Sequence, residues 1–323
     1  MTPLVTEDEV LQRIRGMLGN GIEAFGLRDD AAVLGFPGGG PLVVSVDSVV
    51  EGVHVDLSIC SPGDVGWKAL MGALSDLAAV GASPVGALVA LCLPGGSGQG
   101  DLALGLMAGV AEASAAAGCP VVGGDVSEAG ELAVTVTVLG TTEAGGRPPV
   151  ARAGARPGDV VLVTGPCGAS AAGLRELRTG GSGGSGGSGG EAGDGGSAAA
   201  YRRPVARLRE GALARAAEAH GMIDVSDGLA LDLHRMADAS GVGFRLDMVP
   251  VAAGATEDDA LGGGEDYELL VAIDEEAAGA LGDAFVHAGL RRPVSIGSLV
   301  ADAGERLLRG EPLARLGWQH RVG

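Results

Sequence analysis

Aspartates stand inside the most apolar stretches of this chain, and that placement limits how it can fold. Asp29-Asp30 opens the run AAVLGF, Asp47 follows Leu42–Val46, and Asp76 sits between Leu74-Ser75 and Leu77. Asp125 follows Gly123-Gly124, Asp224 and Asp227 bracket Val225-Ser226, and Glu265-Asp266 follows three glycines. A carboxylate in apolar surroundings is costly unless it is paired or bound to metal. Taken singly, Asp227-Gly228 reads as a turn with a helix N-cap, and Asp125 as a turn residue after Gly-Gly. Asp76 resists such a reading, because Leu74, Leu77, Ala78 and Ala79 around it are apolar. Octahedral Mg²⁺ takes carboxylate, water and phosphate oxygens, so several such acids together point to a shared metal–phosphate site.

The charge balance narrows the chemistry. A net charge of −19 argues against duplex DNA, RNA and anionic membranes as partners, since each requires a basic face. An acidic protein that handles anions must bring in positive charge, and metal ions are the obvious supply. Lys68 is the chain's only lysine. It lies in neither a GxxxxGK[ST] loop nor a kinase-type strand beside a Gly-rich loop, so nucleotides would be handled by another route. Cysteines 60, 92, 119 and 167 are scattered through apolar or Gly-rich runs and read as small buried thiols. The acidic start Thr6-Glu7-Asp8-Glu9 is not a secretory signal, and the apolar run Val85–Leu93 is too short to span a bilayer. The expected setting is cytoplasmic.

Periodicity gives an α+β pattern without regular βαβ alternation, which argues against a Rossmann sheet. A capping box at Thr6/Glu9 starts a helix with Val10, Leu11, Ile14 and Leu18 on its apolar stripe. A strand over Leu42–Val46, a helix over Asp64–Val80, a buried strand over Val85–Leu93 and a helix over Asp101–Ala117 follow. A short strand at Val121-Val122 leads into a Gly-Gly-Asp turn, and Leu132–Thr142 alternates as a half-buried strand. The stretch Gly145–Gly158 reads as a junction between domains 1–145 and 146–323. The second half reads as strands at Val160–Thr164, Gly243–Met248, Val271–Ile273 and Val294–Ile296. Its helices fall near Ser170–Arg178, Gly211–Ala219, Leu229–Ala239 and Ala277–His287. The Gly/Ser run Thr179–Ser197 reads as a flexible loop without chemistry. With only two Trp, two Tyr and four Phe, the core must rest on Val, Leu, Ala and Ile.

Together the motifs amount to a pattern. GLRDDAAVL (26–34), VSVDSVVEGVHVD (44–56), WKALMGALSDLAAVGASP (67–84) and VVGGDVS (121–127) occupy the first half. ARAGARPGDVVLVTG (151–165), SAAGL (170–174), IDVSDGLALDL (223–233) and GGEDYELL (263–270) occupy the second. In this order the sequence resembles the thiamine-monophosphate kinase family, within the superfamily of aminoimidazole-ribonucleotide synthetase. The resemblance implies two α/β domains of that type, with the N-terminal sheet completing a barrel across a homodimer. It implies magnesium ligands at Asp30, Ser45, Asp47, Asp76, Asp125, Asp224 and Asp227, with Val46 offering its backbone carbonyl. ATP contacts would fall on Gly124, Asp125, Arg152 and Ser226, and the thiamine-phosphate side on His54, Glu265 and Trp318. Ser45 stands where the family usually has Thr. The Tyr often found near the adenine is missing, which leaves Leu106 and Met107 as candidates for base packing.

The implied activity is ATP-dependent conversion of thiamine monophosphate to thiamine diphosphate, with several Mg²⁺ and no side chain acting as general base. Rival readings are an aminoimidazole-ribonucleotide-synthetase-like ligase and a catalytically silent binder of magnesium-nucleotide or thiamine phosphate. Residues outside the carboxylate set keep ordinary readings of their own. His54 reads equally as a hydrogen-bonded core histidine, Arg152 as a partner for Asp159, and Trp318 as packing for the last segment.

Overall fold

The computed structural model describes residues 5–6, 29, 31–34, 40–143, 146–180 and 196–322. The expected helix over residues 10–18, Asp30 and most of the Gly/Ser run lie outside them. After β1 (Val5–Thr6), the first sheet comprises β2 (Ala32–Leu34), β3 (Leu42–Val50), β4 (Ser83–Pro94), β5 (Val121–Ala129) and β6 (Ala133–Thr141), ordered β2-β3-β6-β4-β5. β6 pairs antiparallel with β3 and β4, and β5 runs parallel to β4 along the sheet edge.

Helices α1 (Pro62–Ala79) and α2 (Gln99–Ala117) pack a Val/Leu/Ala core against one face of this sheet. Ser61 starts α1 with a reciprocal capping box to Asp64, and Pro62 occupies its first turn. The two helices approach through glycine. A Cβ at Gly66 would lie 1.9 Å from the Leu106 carbonyl oxygen, and one at Gly109 would lie 1.8 Å from that of Gly63. Leu106 is therefore locked in the core, which removes it as a base-packing residue.

The second half holds α3 (Ala169–Arg178), α4 (Gly196–Arg202), α5 (Leu208–Ala216), α6 (Leu229–Ser240), α7 (Glu257–Gly262) and α8 (Glu275–His287). Its strands are β7 (Val160–Val163), β8 (Gly221–Asp224), β9 (Gly243–Leu246), β10 (Leu269–Ile273), β11 (Val294–Val300), β12 (Arg306–Leu308) and β13 (Glu311–Pro312). They form a mostly antiparallel sheet ordered β13-β12-β9-β11-β7-β10-β8, while β14 (Arg321–Val322) pairs with β1. Leu229, Leu233 and Met236 of α6 pack on one face of that sheet, and Ala214, Leu281 and Phe285 of α5 and α8 on the other. Ala78 and Ala79 at the end of α1 join this second core, so α1 is shared by both halves. Tyr201 of α4 conversely packs into the first core.

Three expectations need correcting. β3 continues to Val50, so Asp47 lies within the strand and not at its end. Gly123-Gly124-Asp125 is part of β5 and not a turn, because a Cβ at Gly124 would meet the Val89 carbonyl oxygen at 1.9 Å and glycine lets the parallel strand close. β4 is buried on one face only. Leu88 stands exposed on the other face with Val46 of β3, while Val122 and Val126 are exposed along the β5 edge. Cys60, Cys119 and Cys167 are buried and free, whereas Cys92 is half-buried. Among the described residues no helix is long and apolar enough to cross a membrane.

Candidate active site

Helix α1 organises the site. Lys68, Gly72, Ser75 and Asp76 are spaced at i, i+4, i+7 and i+8, which puts them on one stripe. On one side of that stripe lies β3, whose alternation turns Ser45 and Asp47 toward the helix. Ser45 Oγ donates to Asp76 Oδ2 at 2.5 Å. A Cβ at Gly72 would lie 3.2 Å from both Asp47 Oδ2 and the Tyr267 hydroxyl, so glycine leaves room for these groups. On the other side, Ser75 Oγ donates at 2.6 Å to Asp224 Oδ2 at the buried end of β8. Burial pushes the Tyr267 hydroxyl well above its ordinary pKa, and Glu265, Asp47, Asp224 and Asp76 push it further. Ser45, Asp47, Asp76 and Asp224 thus form one oxygen-rich crevice between the halves.

The IDVSDG turn and the GGEDYELL segment close the crevice by backbone pairing. Glu265 N–H donates to the Ser226 carbonyl (2.7 Å), and Tyr267 N–H donates to that of Val225 (2.9 Å). Gly264 at φ +70° permits the approach, since a Cβ there would meet Ser226 O at 2.8 Å. Asp227 pairs with Arg235, which also holds Asp232 at 2.9 Å. Asp232 accepts the Asp227 and Gly228 N–H groups at 2.9 and 3.1 Å, and so fixes the turn before α6. Burial, with Asp227 alongside, lifts its carboxyl well above the usual carboxylate range.

The acids of GGEDYELL diverge. Asp266 takes the Gly168 N–H (2.6 Å) at the start of α3. Glu268 is gripped by Arg207 (2.7 Å) and Thr164 (2.5 Å). Glu265 alone turns toward His54 and Lys68, and its Oε2 lies 2.7 Å from Lys68 Nζ.

The expected substrate-side residues come together. His54 Nδ1 accepts the Val50 N–H (3.1 Å), and burial holds its pKa below the ordinary histidine value. Neutral His54 therefore carries its proton on Nε2, which faces His320 Nε2 at 3.4 Å. The His320 ring stands edge-on to Trp318, with centroids 6.2 Å apart. Trp318 is 52 % exposed, and its backbone N–H donates to the Asp227 carbonyl (2.9 Å). The backbone thus anchors the last segment and leaves the indole free of the core. His320, Lys68, Ser75 and Tyr267 were not among the expected site residues. A single lysine four residues before Gly72 and eight before Asp76 is the sequence signal that could have found Lys68.

Arg152, Val46 and Asp125 have surroundings of their own. Arg152 N–H donates to Asp29 Oδ2 at 2.8 Å, while Asp159 takes His220 and the Arg156 N–H. Val46 lies between the two inward residues of β3 with its side chain on the open face. Asp125 pairs in register with Ala90 and accepts from Ser127 Oγ. With Gly124, Leu88, Val89, Ala90, Thr135 and Thr137 it lines an open depression of about 320 Å³. Ala90 and Thr135 face away from the helices, so Asp125 does not converge with Asp47 and Asp76 within one chain. Asp159, His220 and Asp274 form a further grouping, with ligand atoms within 4.8 Å of one another. It lies at the opposite end of β10 from the crevice.

The crevice donors are carboxylate and hydroxyl oxygens, hard ligands that suit Mg²⁺. Known proteins match the chain over both halves. Residues 28–142 match the AIR synthase related protein N-terminal domain, and residues 156–309 match its C-terminal domain. The thiamine-monophosphate kinase of Bacillus subtilis (strain 168) is 35 % identical over 260 residues, 78 % of each chain. AaThiL complexed with AMPPCP and TMP superposes with a TM-score of 0.82 at 29 % identity, over 98 % of this chain and 97 % of that one. Thiamine-monophosphate kinase from Stenotrophomonas maltophilia K279a gives 0.75 at 31 % identity, over 94 % and 96 %. By its two matched domains and these relatives, the chain belongs to the thiamine-monophosphate kinase family.

Proposed function

We infer that this chain transfers the γ-phosphoryl group of ATP to thiamine monophosphate, giving thiamine diphosphate and ADP. The observation that carries the reading is the α1 stripe, which sets the Ser45, Asp47, Asp76 and Asp224 oxygens beside the His54, Glu265 and Trp318 group. The likeness to a structure holding an ATP analogue and TMP supports it.

The nucleophile is a phosphate oxygen of the substrate, already ionised at neutral pH, so no side chain has to remove a proton. The obstacle is electrostatic, because two polyanions must meet in line. Asp30, Ser45, Asp47, Asp76, Asp224 and Asp227, with the Val46 carbonyl, would hold Mg²⁺ at the crevice, and Asp125 would serve as a ligand from the open face of the first sheet. When bound, the metal supplies charge neutralisation and alignment of the phosphates. Arg152 would add fixed positive charge, and Gly124, Asp125 and Ser226 would contact the nucleotide. His54, Glu265 and Trp318 would orient the thiamine portion, Trp318 by laying an aromatic face against a cationic ring.

The two halves divide near residue 145. The open face of the first sheet and the position of β5 at its edge among the described residues favour a homodimer formed through the N-terminal half, its two sheets completing a barrel. Covering that face would bury Val46 and Leu88 and change what Asp125 faces. The reading places the enzyme in the cytoplasm. An ADP-release assay with thiamine, its monophosphate and an aminoimidazole precursor side by side tests the substrate. Turnover on the monophosphate alone is expected. Preference for the aminoimidazole precursor, or none at all, would overturn the reading.

A further inference from the structure

Lys68 carries a full charge into the interior, with only 1 % of its side chain exposed. Its ammonium lies 2.7 Å from Glu265 Oε2, 3.3 Å from the His54 carbonyl oxygen and 4.0 Å from the centroid of the Tyr201 ring. The Tyr201 hydroxyl donates to the same carbonyl at 3.3 Å. Two of the ammonium's three donors meet oxygen acceptors, and the Tyr201 ring lies over the group as a cation–π partner. With its side chain 1 % exposed and its charge already matched by Glu265, Lys68 is engaged by the protein's own groups.

What Lys68 does is hold two substrate-side residues at once. Glu265 has φ +58°, a left-handed conformation costly for a side chain with a Cβ, and its N–H is tied to Ser226. The backbone therefore aims this side chain, and Lys68 fixes its end. One carboxylate oxygen is engaged by Lys68, while the side chain stays 25 % exposed. Lys68 belongs to α1 in the first half, whereas Glu265 and Tyr201 come from the second.

We propose that Lys68 is the positioning residue for the thiamine side of the site. By holding one Glu265 oxygen and the His54 carbonyl, it leaves the other Glu265 oxygen as a fixed acceptor for an N–H-bearing heterocycle. The inference rests on Glu265 facing the substrate, as argued above. It adds that the aim of Glu265 depends on a residue that never touches the substrate.

The test is a double-mutant cycle of Lys68→Met and Glu265→Gln, read by KM for thiamine monophosphate and for ATP, with calorimetric binding of thiamine monophosphate as a second readout. Each single variant is expected to raise KM for thiamine monophosphate by about 10-fold, leaving KM for ATP within about 2-fold. The double variant should be no worse than Glu265→Gln, and Lys68→Arg, which keeps the cation, should fall between parent and Lys68→Met. If Lys68→Met does not fold, Lys68→Arg carries the test, and unchanged thiamine-monophosphate binding in it would overturn the proposal. Additive effects, or equal KM changes for both substrates, would make Lys68 a general structural residue. Normal KM in Glu265→Gln would remove the underlying assignment of Glu265, whereas a raised KM there with none in Lys68→Met would defeat this inference alone.

Discussion

Replacing Gly72 by alanine separates what the fold wants from what the site wants. Gly72 is buried inside α1, where alanine is favoured over glycine by about 1 kcal/mol. The new methyl would sit 3.2 Å from Asp47 Oδ2 and 3.2 Å from the Tyr267 hydroxyl, with the ring carbon behind it at 3.5 Å. Those contacts are a few tenths of an ångström too close, so Asp47 and Tyr267 must yield. The helix gain and the crowding cost are similar, which keeps net stability within about 1 kcal/mol and Tm within about 4 °C. Catalysis has no such offset. A misplacement of about 1 Å can cost about 100-fold, so a shift of about 0.3 Å should lower kcat/KM by roughly 3- to 10-fold. Steady-state ADP release on Gly72→Ala, with a thermal melt in parallel, reads both numbers. Full activity with a raised Tm would show that Asp47 and Tyr267 need not stand where the crevice holds them.

Three further outcomes are expected. Asp47→Asn and Asp227→Asn should each lower kcat by about 100-fold or more, and excess chelator should stop turnover; near-parental rates in either variant would refute the metal-site assignment. Trp318→Ala should raise KM for thiamine monophosphate by about 3- to 30-fold while sparing KM for ATP and Tm, because the residue is half exposed and its anchoring hydrogen bond is made by the backbone. Burial lifts the Asp266 carboxyl from 3.8 to about 7, outweighing the backbone N–H groups it accepts. A raised folded-state value means its stabilising contribution is complete below about pH 4 and is lost as pH rises through about 7. Melts of parent and Asp266→Asn from pH 5 to 8 should therefore show the parent losing ground as pH rises, and the opposite trend would contradict the burial argument.

Much of this was legible in the residues. Asp76 could be singled out because apolar neighbours on a helix leave a carboxylate no ordinary role, and its partner is Ser45 of β3. The local pattern of glycines 123 and 124 reads as a turn, although they serve a strand, because the 1.9 Å approach of a Gly124 Cβ to Val89 O is a property of sheet pairing and not of local sequence. The direction Asp125 faces follows from its register with Ala90, which no pattern within VVGGDVS encodes. The sharing of α1 between two cores was equally hidden, since Ala78 and Ala79 are apolar on any reading. Lys68 was visible as the only lysine, but its purpose depends on Glu265 and Tyr201, distant in sequence and joined to it only by folding.

The central claim is that the γ-phosphoryl group passes to the phosphate of thiamine monophosphate across this crevice. Phosphorus NMR of the protein with ATP, Mg²⁺ and thiamine monophosphate follows that group directly. The account predicts that the ATP γ-resonance is replaced by the terminal phosphate of thiamine diphosphate, in step with ADP. Loss of the γ-resonance into inorganic phosphate, with thiamine monophosphate unchanged, would contradict it.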